Sequence, residues 1–292
     1  MSAYAGPSFV RITDNDTLEV FVTGRDNENV SRVGIVTARL IGGKLEIVDI
    51  GQQPVLNVGP PGTFDENGVS YRWLLSMGSR TFMYYVGWVA GGRTRFQNYT
   101  GLAVSEDGGK TFSRFSNVPI LDRTIDEPFG SGSCAVFEDP SVGFRMFYTS
   151  FDSWITAGTT TKPCYKVREA VSDDGMLWRR TGRAVLDFEA PEEHIIGKPV
   201  VLMDRGMTHM WYSFRGESYR IGYATSADGL NFKRRDSEVG IDVSSDGWDS
   251  EMIEYAFVFD HQSNRYMIYN GNDFGRTGLG LAVQVDHPRS GV

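Results

Sequence analysis

Acidic residues recur at matching places along the 292-residue chain, and they are the first side chains whose type and spacing could do chemistry. They stand in Phe64-Asp65-Glu66-Asn67-Gly68, Asp126-Glu127-Pro128-Phe129, Glu192-Glu193-His194 and Trp248-Asp249-Ser250-Glu251, each about 16–19 residues ahead of a Met-x-Tyr tripeptide. Carboxylates that converge on one pocket cannot all ionise freely, so their pKa values split. One then stays protonated and donates to a leaving oxygen, while another stays ionised as base or nucleophile. Glycosidic cleavage needs that pairing, with a carboxyl separation of about 5 Å for retention and about 6.5–9.5 Å for inversion. On this reading Asp65 is the base or nucleophile and Glu193 or Glu251 the general acid. Glu127 orients the substrate and tunes the acid. Acids at strand starts also serve as turn formers or solvated charges, so their roles depend on where the fold sends them.

A sugar site also needs flat apolar surfaces and forked donors. Trp88, Trp154 and Trp248 are expected in loops beside the acids, with Glu66, His194 and Asp249 as their polar neighbours. Arg215 and Arg220 flank a short turn, where either could hold a carboxylate or phosphate bidentately or form a surface ion pair. Trp178 and the Met-x-Tyr aromatics read as core between repeating elements.

Those repeats define what must position the acids. Met83-Tyr84-Tyr85, Met146-Phe147-Tyr148, Met210-Trp211-Tyr212 and Met267-Ile268-Tyr269 lie 63, 64 and 57 residues apart. Each is followed by a second apolar run, over 101–105, 168–172, 222–226 and 280–284. Three of those runs continue into an Asp-Gly turn at Asp107-Gly108, Asp174-Gly175 and Asp228-Gly229, a strong hairpin signal because glycine accepts positive φ. Four further alternating runs, over 7–12, 18–23, 32–40 and 44–50, make a degenerate first copy. Five repeats of four strands predict an all-β fold, a five-bladed β-propeller with a central pocket. The whole chain, 1–292, then forms one domain, with blades near 1–58, 59–122, 123–188, 189–243 and 244–292.

Composition narrows the function classes. With 29 Lys and Arg against 37 Asp and Glu, the net charge is −8, which disfavours nucleic acid as a partner. No apolar run reaches the roughly 18–20 residues of a membrane span, and no export signal opens the sequence, so a cytoplasmic location is expected. Cys134 and Cys164 lack paired or metal-ligand spacing and read as free thiols. The histidines His194, His209, His261 and His287 show no ligand spacing, so no metal is expected. No dinucleotide fingerprint follows a strand, and no cofactor is expected.

The five-fold period, the acids at innermost strands and the Asp-x-Asn-Gly of Asp65–Gly68 resemble the five-bladed propeller glycoside hydrolases. These are the β-fructosidases, arabinanases and β-xylosidases, with mannoside phosphorylases as relatives. Phe64-Asp65-Glu66-Asn67-Gly68 is similar to the Asn-Asp-Pro-Asn-Gly of invertase-like members, with Phe for Asn and Glu for Pro, which implies Asp65 as nucleophile. Asp126-Glu127-Pro128 answers the family's Arg-Asp-Pro, and Glu193 or Glu192 its acid. The resemblance extends to uncharacterised glycosidase-like proteins of bacterial surface-polysaccharide loci. It implies a glycosidase-like enzyme acting on a small sugar or nucleotide-sugar substrate. A phosphorylase or glycosyl transferase, or a non-catalytic carbohydrate-binding propeller, are the alternatives.

Overall fold

Alternation of apolar and polar side chains, punctuated by glycine turns, makes strands of most of the chain. A computed structural model describes residues 4–158 and 160–285; His287 lies outside the described residues. The strands form consecutive antiparallel units. The first holds β1 (Ala5–Ile12), β2 (Thr17–Arg25), β3 (Ser31–Ile41) and β4 (Lys44–Ile50). The second holds β5 (Gly68–Met77), β6 (Arg80–Ala90), β7 (Phe96–Ser105) and β8 (Ser113–Arg114). The third holds β9 (Ser131–Asp139), β10 (Gly143–Ala157), β11 (Thr160–Ser172) and β12 (Arg179–Ala184). The fourth holds β13 (Ile195–Asp204), β14 (Met207–Arg215), β15 (Tyr219–Ser226) and β16 (Lys233–Arg234). The last holds β17 (Glu254–His261), β18 (Asn264–Asn270) and β19 (Leu279–Val283).

The first strands of the units meet one another. β1 packs on β5, β5 on β9, β9 on β13, β13 on β17, and β17 returns to β1. The Met-x-Tyr tripeptides fall on the second strands β6, β10, β14 and β18, and nearly all of their residues are buried between units. Tyr84 shows how neighbours lock. It is fully buried, and its hydroxyl donates to the Gly175 carbonyl of the next unit at 2.8 Å.

The Asp-Gly turns are stapled by their own side chains. Asp107 Oδ1 accepts the amides of Lys110 and Thr111, both at 3.0 Å, together with the Ser105 hydroxyl at 2.7 Å. Asp174 and Asp228 repeat the pattern on Met176 and Leu177, and on Leu230 and Asn231. Those bonds favour the ionised form and hold all three carboxyls below the usual range. The glycines that follow have φ of 76°, 72° and 68°. Asp174→Ala leaves two turn amides without their acceptor and is expected to cost about 1–2 kcal/mol, read from the urea midpoint.

Two expected loop residues lie in strands instead. Trp88 ends β6 and Trp154 lies within β10, because the β6 and β10 hairpins run longer than the period alone suggests. Among the described residues, no helix is long and apolar enough to cross a membrane.

Candidate substrate site

Three of the acids singled out by spacing are held inside their own units. Asp65 is fully buried and accepts the Tyr85 hydroxyl at 3.0 Å, the Arg114 guanidinium at 2.8 Å and the Thr63 hydroxyl at 3.0 Å. Glu127 accepts Tyr148 and Ser150 hydroxyls at 2.8 Å and Arg180 at 3.1 Å. Arg234 grips Glu193 through both terminal nitrogens, at 2.7 and 2.9 Å, and also binds Asp236, which takes the Tyr212 hydroxyl at 2.5 Å. The pattern recurs three times, with Asp65 and Glu127 taking both tyrosine and arginine, and with Glu193 and Asp236 sharing Arg234 in the fourth unit while Asp236 takes the tyrosine. The tyrosine comes from the second strand and the arginine from the fourth, so each carboxylate ties the outer strand to the loop before the first. Burial and the adjacent carboxylates push the Tyr85, Tyr148 and Tyr212 hydroxyls far above their ordinary pKa, so they remain donors. In the last unit Asp249 takes the Tyr269 hydroxyl at 3.0 Å, and no fourth strand is present among the described residues to supply an arginine.

Glu251 is exposed, and its carbonyl accepts Arg220 at 3.1 Å. Glu66 accepts the Gly62 amide at 2.6 Å on the rim of a separate groove of about 460 Å³, lined by Phe64 and Tyr99. The expected catalytic acids are Asp65, Glu127, Glu193 and Glu251. Three are bound toward the outer strands by an arginine, and the fourth lies on the surface.

The centre is built by residues further along each first strand. Register slips between Pro7 and Phe9, Ser70 and Trp73, Gly197 and Val200, and Glu254 and Phe257. A bulge of this kind re-aims side chains and strengthens twist. Two bulged residues, Lys198 and Tyr255, adopt the left-handed region with φ of 52° and 53°, which a β-branched or bulky residue rarely accepts without compensation. Gly197 is required beside Lys198, because a Cβ there would lie 2.8 Å from the Tyr165 ring and 2.9 Å from Thr149 Oγ1.

A ladder of hydroxyls crosses this region. Ser133 Oγ meets Thr149 Oγ1 at 3.2 Å, and Thr149 Oγ1 accepts the Lys198 amide at 3.2 Å. The Tyr165 and Tyr219 hydroxyls lie 2.9 Å apart, and Ser213 Oγ accepts the Tyr255 amide at 2.8 Å. At its end stand Glu254 and Asn270, register partners that are both fully buried. Neither Glu254 oxygen nor either polar atom of the Asn270 amide has a well-formed hydrogen bond. Burial raises the Glu254 pKa well above the carboxylate range; Arg215 and the nearby Asn270 amide oppose the rise, and the Asp273 charge adds to it. Native interiors seldom leave such atoms unpaired, and here four fall together.

Over this cluster runs a left-handed turn. Asp273, Phe274 and Gly275 have φ of 53°, 59° and 82°, and the Phe274 ring meets Tyr219 edge-on at 5.9 Å.

The remaining expected residues border this side of the molecule. Trp88 is buried, donates to Ser31 Oγ at 2.7 Å and carries the Arg25 guanidinium over its ring. Trp154 stacks on Phe151 and meets Phe96 edge-on. Trp248 packs against Tyr269. Arg215 covers the Tyr219 ring at 5.1 Å, whereas Arg220 pairs with Asp242 at 3.1 Å. His194 sits half-buried with its pKa lowered by burial and by the charges of Arg215 and Lys162. Lys198, Tyr165, Tyr219, Glu254 and Asn270 escaped the reading from spacing. Their signal was available: Lys198 and Glu254 stand 12 and 13 residues ahead of the Met of the next Met-x-Tyr, where a first strand crosses the centre. Among the described residues, no group of three or more His, Cys, Asp or Glu side chains is placed to hold a metal ion.

Comparison with known proteins places this geometry. No family model matches the chain. At the level of fold it is similar to a glycoside hydrolase (19% identity, TM-score 0.74, 100% of this chain and 94% of the other). A thermostable family-43 glycoside hydrolase matches with a TM-score of 0.68 at 15% identity, over 99% and 91% of the two chains. An endo-arabinase from Bacteroides thetaiotaomicron VPI-5482 matches with a TM-score of 0.66 at 12% identity, over 99% and 96%. In sequence, the uncharacterized proteins Rv1502 and MT1551 of two Mycobacterium tuberculosis strains (ATCC 25618 / H37Rv and CDC 1551 / Oshkosh) are each 39% identical over 271 residues. That match spans 92% of this chain and 89% of theirs. With the glycoside-hydrolase propeller fold on one side and this identity on the other, the chain belongs to the family of Rv1502 and MT1551.

Proposed function

We propose that the chain is a glycosidase-like enzyme on a closed five-bladed propeller, whose substrate site lies where the first strands meet. The observation that carries this reading is the orphaned, fully buried Glu254–Asn270 cluster at the end of a hydroxyl ladder. A carboxyl whose protonated form is favoured by burial suits proton donation to a glycosidic oxygen. Asp273, exposed and paired with Arg276 at 3.3 Å, is the neighbouring carboxyl group that acts on Glu254. The ladder hydroxyls suit a polyol, and the Trp154–Phe151 stack suits a sugar face. Asp65, Glu127 and Glu193 hold the scaffold that presents them. The free thiols Cys134 and Cys164 fit a reducing, cytoplasmic setting.

Product-resolved NMR with a panel of glycosides and nucleotide sugars tests the proposal. Glu254→Gln is expected to lower kcat by about 10²–10⁴-fold, whereas Asp65→Asn, if it folds, keeps kcat within a few fold. Turnover that rises with added phosphate would mark phosphorolysis in place of hydrolysis. Equal turnover by wild type and Glu254→Gln would remove Glu254 from the chemistry. Sugar line broadening without turnover across the panel would identify a binding propeller.

A further inference from the structure

The centre holds a buried lysine that the proposed proton transfer does not use. Lys198 is 7% exposed, and its ammonium makes one hydrogen bond, to the Ala256 carbonyl at 3.0 Å. Among the described residues no carboxylate lies within ion-pair distance of it. Every buried or half-buried arginine of the outer-strand device, by contrast, has a carboxylate. A desolvated, unpaired ammonium is costly, and proteins retain one where something else brings the counter-charge. Its backbone adds to that cost, since φ of 52° holds a lysine in the left-handed region. Nor is it alone in sign. Arg215 and Lys162 are close enough to His194 to disfavour its protonation.

From this geometry we infer that the site takes an anionic sugar, whose carboxylate or phosphate group is anchored by the Lys198 ammonium. The inference rests on the centre being the sugar site and adds the class of its ligand. The Lys198 ammonium has two N–H donors beyond the one given to Ala256, enough to meet two anionic oxygens. The Phe257 ring lies 5.8 Å from Nζ, an apolar neighbour that strengthens any charge pairing there. The Thr149 and Tyr165 hydroxyls beside it would meet the sugar ring next to the anion. Arg215, at the rim, draws the anion in.

Calorimetric titration of the full chain with D-glucose, D-glucuronate, D-glucose 6-phosphate and inorganic phosphate tests this, beside Lys198→Met and Lys198→Gln. Wild type is expected to bind one anionic sugar at least about tenfold more tightly than glucose, a difference of about 1.4 kcal/mol. Both variants are expected to lose that preference while still unfolding in a single cooperative thermal transition. Glucuronate and glucose 6-phosphate separate a carboxylate from a phosphate as the natural anion. Equal affinity for charged and neutral sugars, or a preference that survives both substitutions, would overturn the inference. If no sugar binds but phosphate raises the Tm of wild type and not of the variants, the anion anchor stands and the sugar site falls. If neither sugars nor phosphate bind, both are overturned.

Discussion

Arg114→Met is expected to lower the unfolding free energy by about 3–5 kcal/mol, although it touches none of the residues at the centre. The substitution leaves Asp65, fully buried, with the hydroxyls of Tyr85 and Thr63 but without the charge that offsets its desolvation. The Asn57 carbonyl loses a donor at the same time. Arg180→Met should behave similarly through Glu127. Arg234→Met should cost more, because it strands both Glu193 and Asp236. Urea unfolding of each variant measures these losses. The double variant Asp65→Asn with Arg114→Met should lose less than the sum of the single losses, since each substitution removes the other's partner. A loss under about 1 kcal/mol for Arg114→Met would show that the Tyr–carboxylate–Arg device does not hold the units together. A fully folded Asp65→Asn protein without turnover would return Asp65 to the chemistry.

The second large effect is on the pH dependence of stability, where two buried groups act in opposite directions. Burial lowers the Lys198 pKa from 10.5 to about 7, so between those values the unfolded chain binds the extra proton. Stability from this residue therefore rises with pH across that window, by up to about 1.4 kcal/mol per pH unit, and is lost as pH falls toward 7. Lys198→Met removes the buried charge and should stabilise the protein most at pH 6 and least near pH 10. Glu254 is the reverse case. Its folded pKa is raised above 4.5, so its contribution is complete below that value and declines as the pH climbs toward the folded pKa. Glu254→Gln should then flatten the alkaline side of the stability profile. Neither residue is among the causes of the other's shift, so the two profiles should add. Thermal denaturation from pH 5 to pH 10 reads both. A Lys198→Met curve parallel to wild type over the whole range would mean that the lysine does not titrate near neutrality.

Strand identity was legible in the chain because it depends on near neighbours. Alternation over 7–12, 18–23, 32–40 and 44–50 matches β1 to β4 closely, since a side-chain period of two needs nothing beyond the strand itself. The Asp-Gly turns were legible for the same reason, their bonds closing within four residues. The destination of the acids was not. Asp65, Glu127 and Glu193 meet their arginines 49, 53 and 41 residues later in the chain, a separation across which no local pattern reports direction. Lys198 and Glu254 read as ordinary strand polars until register slips on the first strands carry them into a water-poor centre. There, burial works against the charged form of both side chains, lowering the lysine and raising the glutamate.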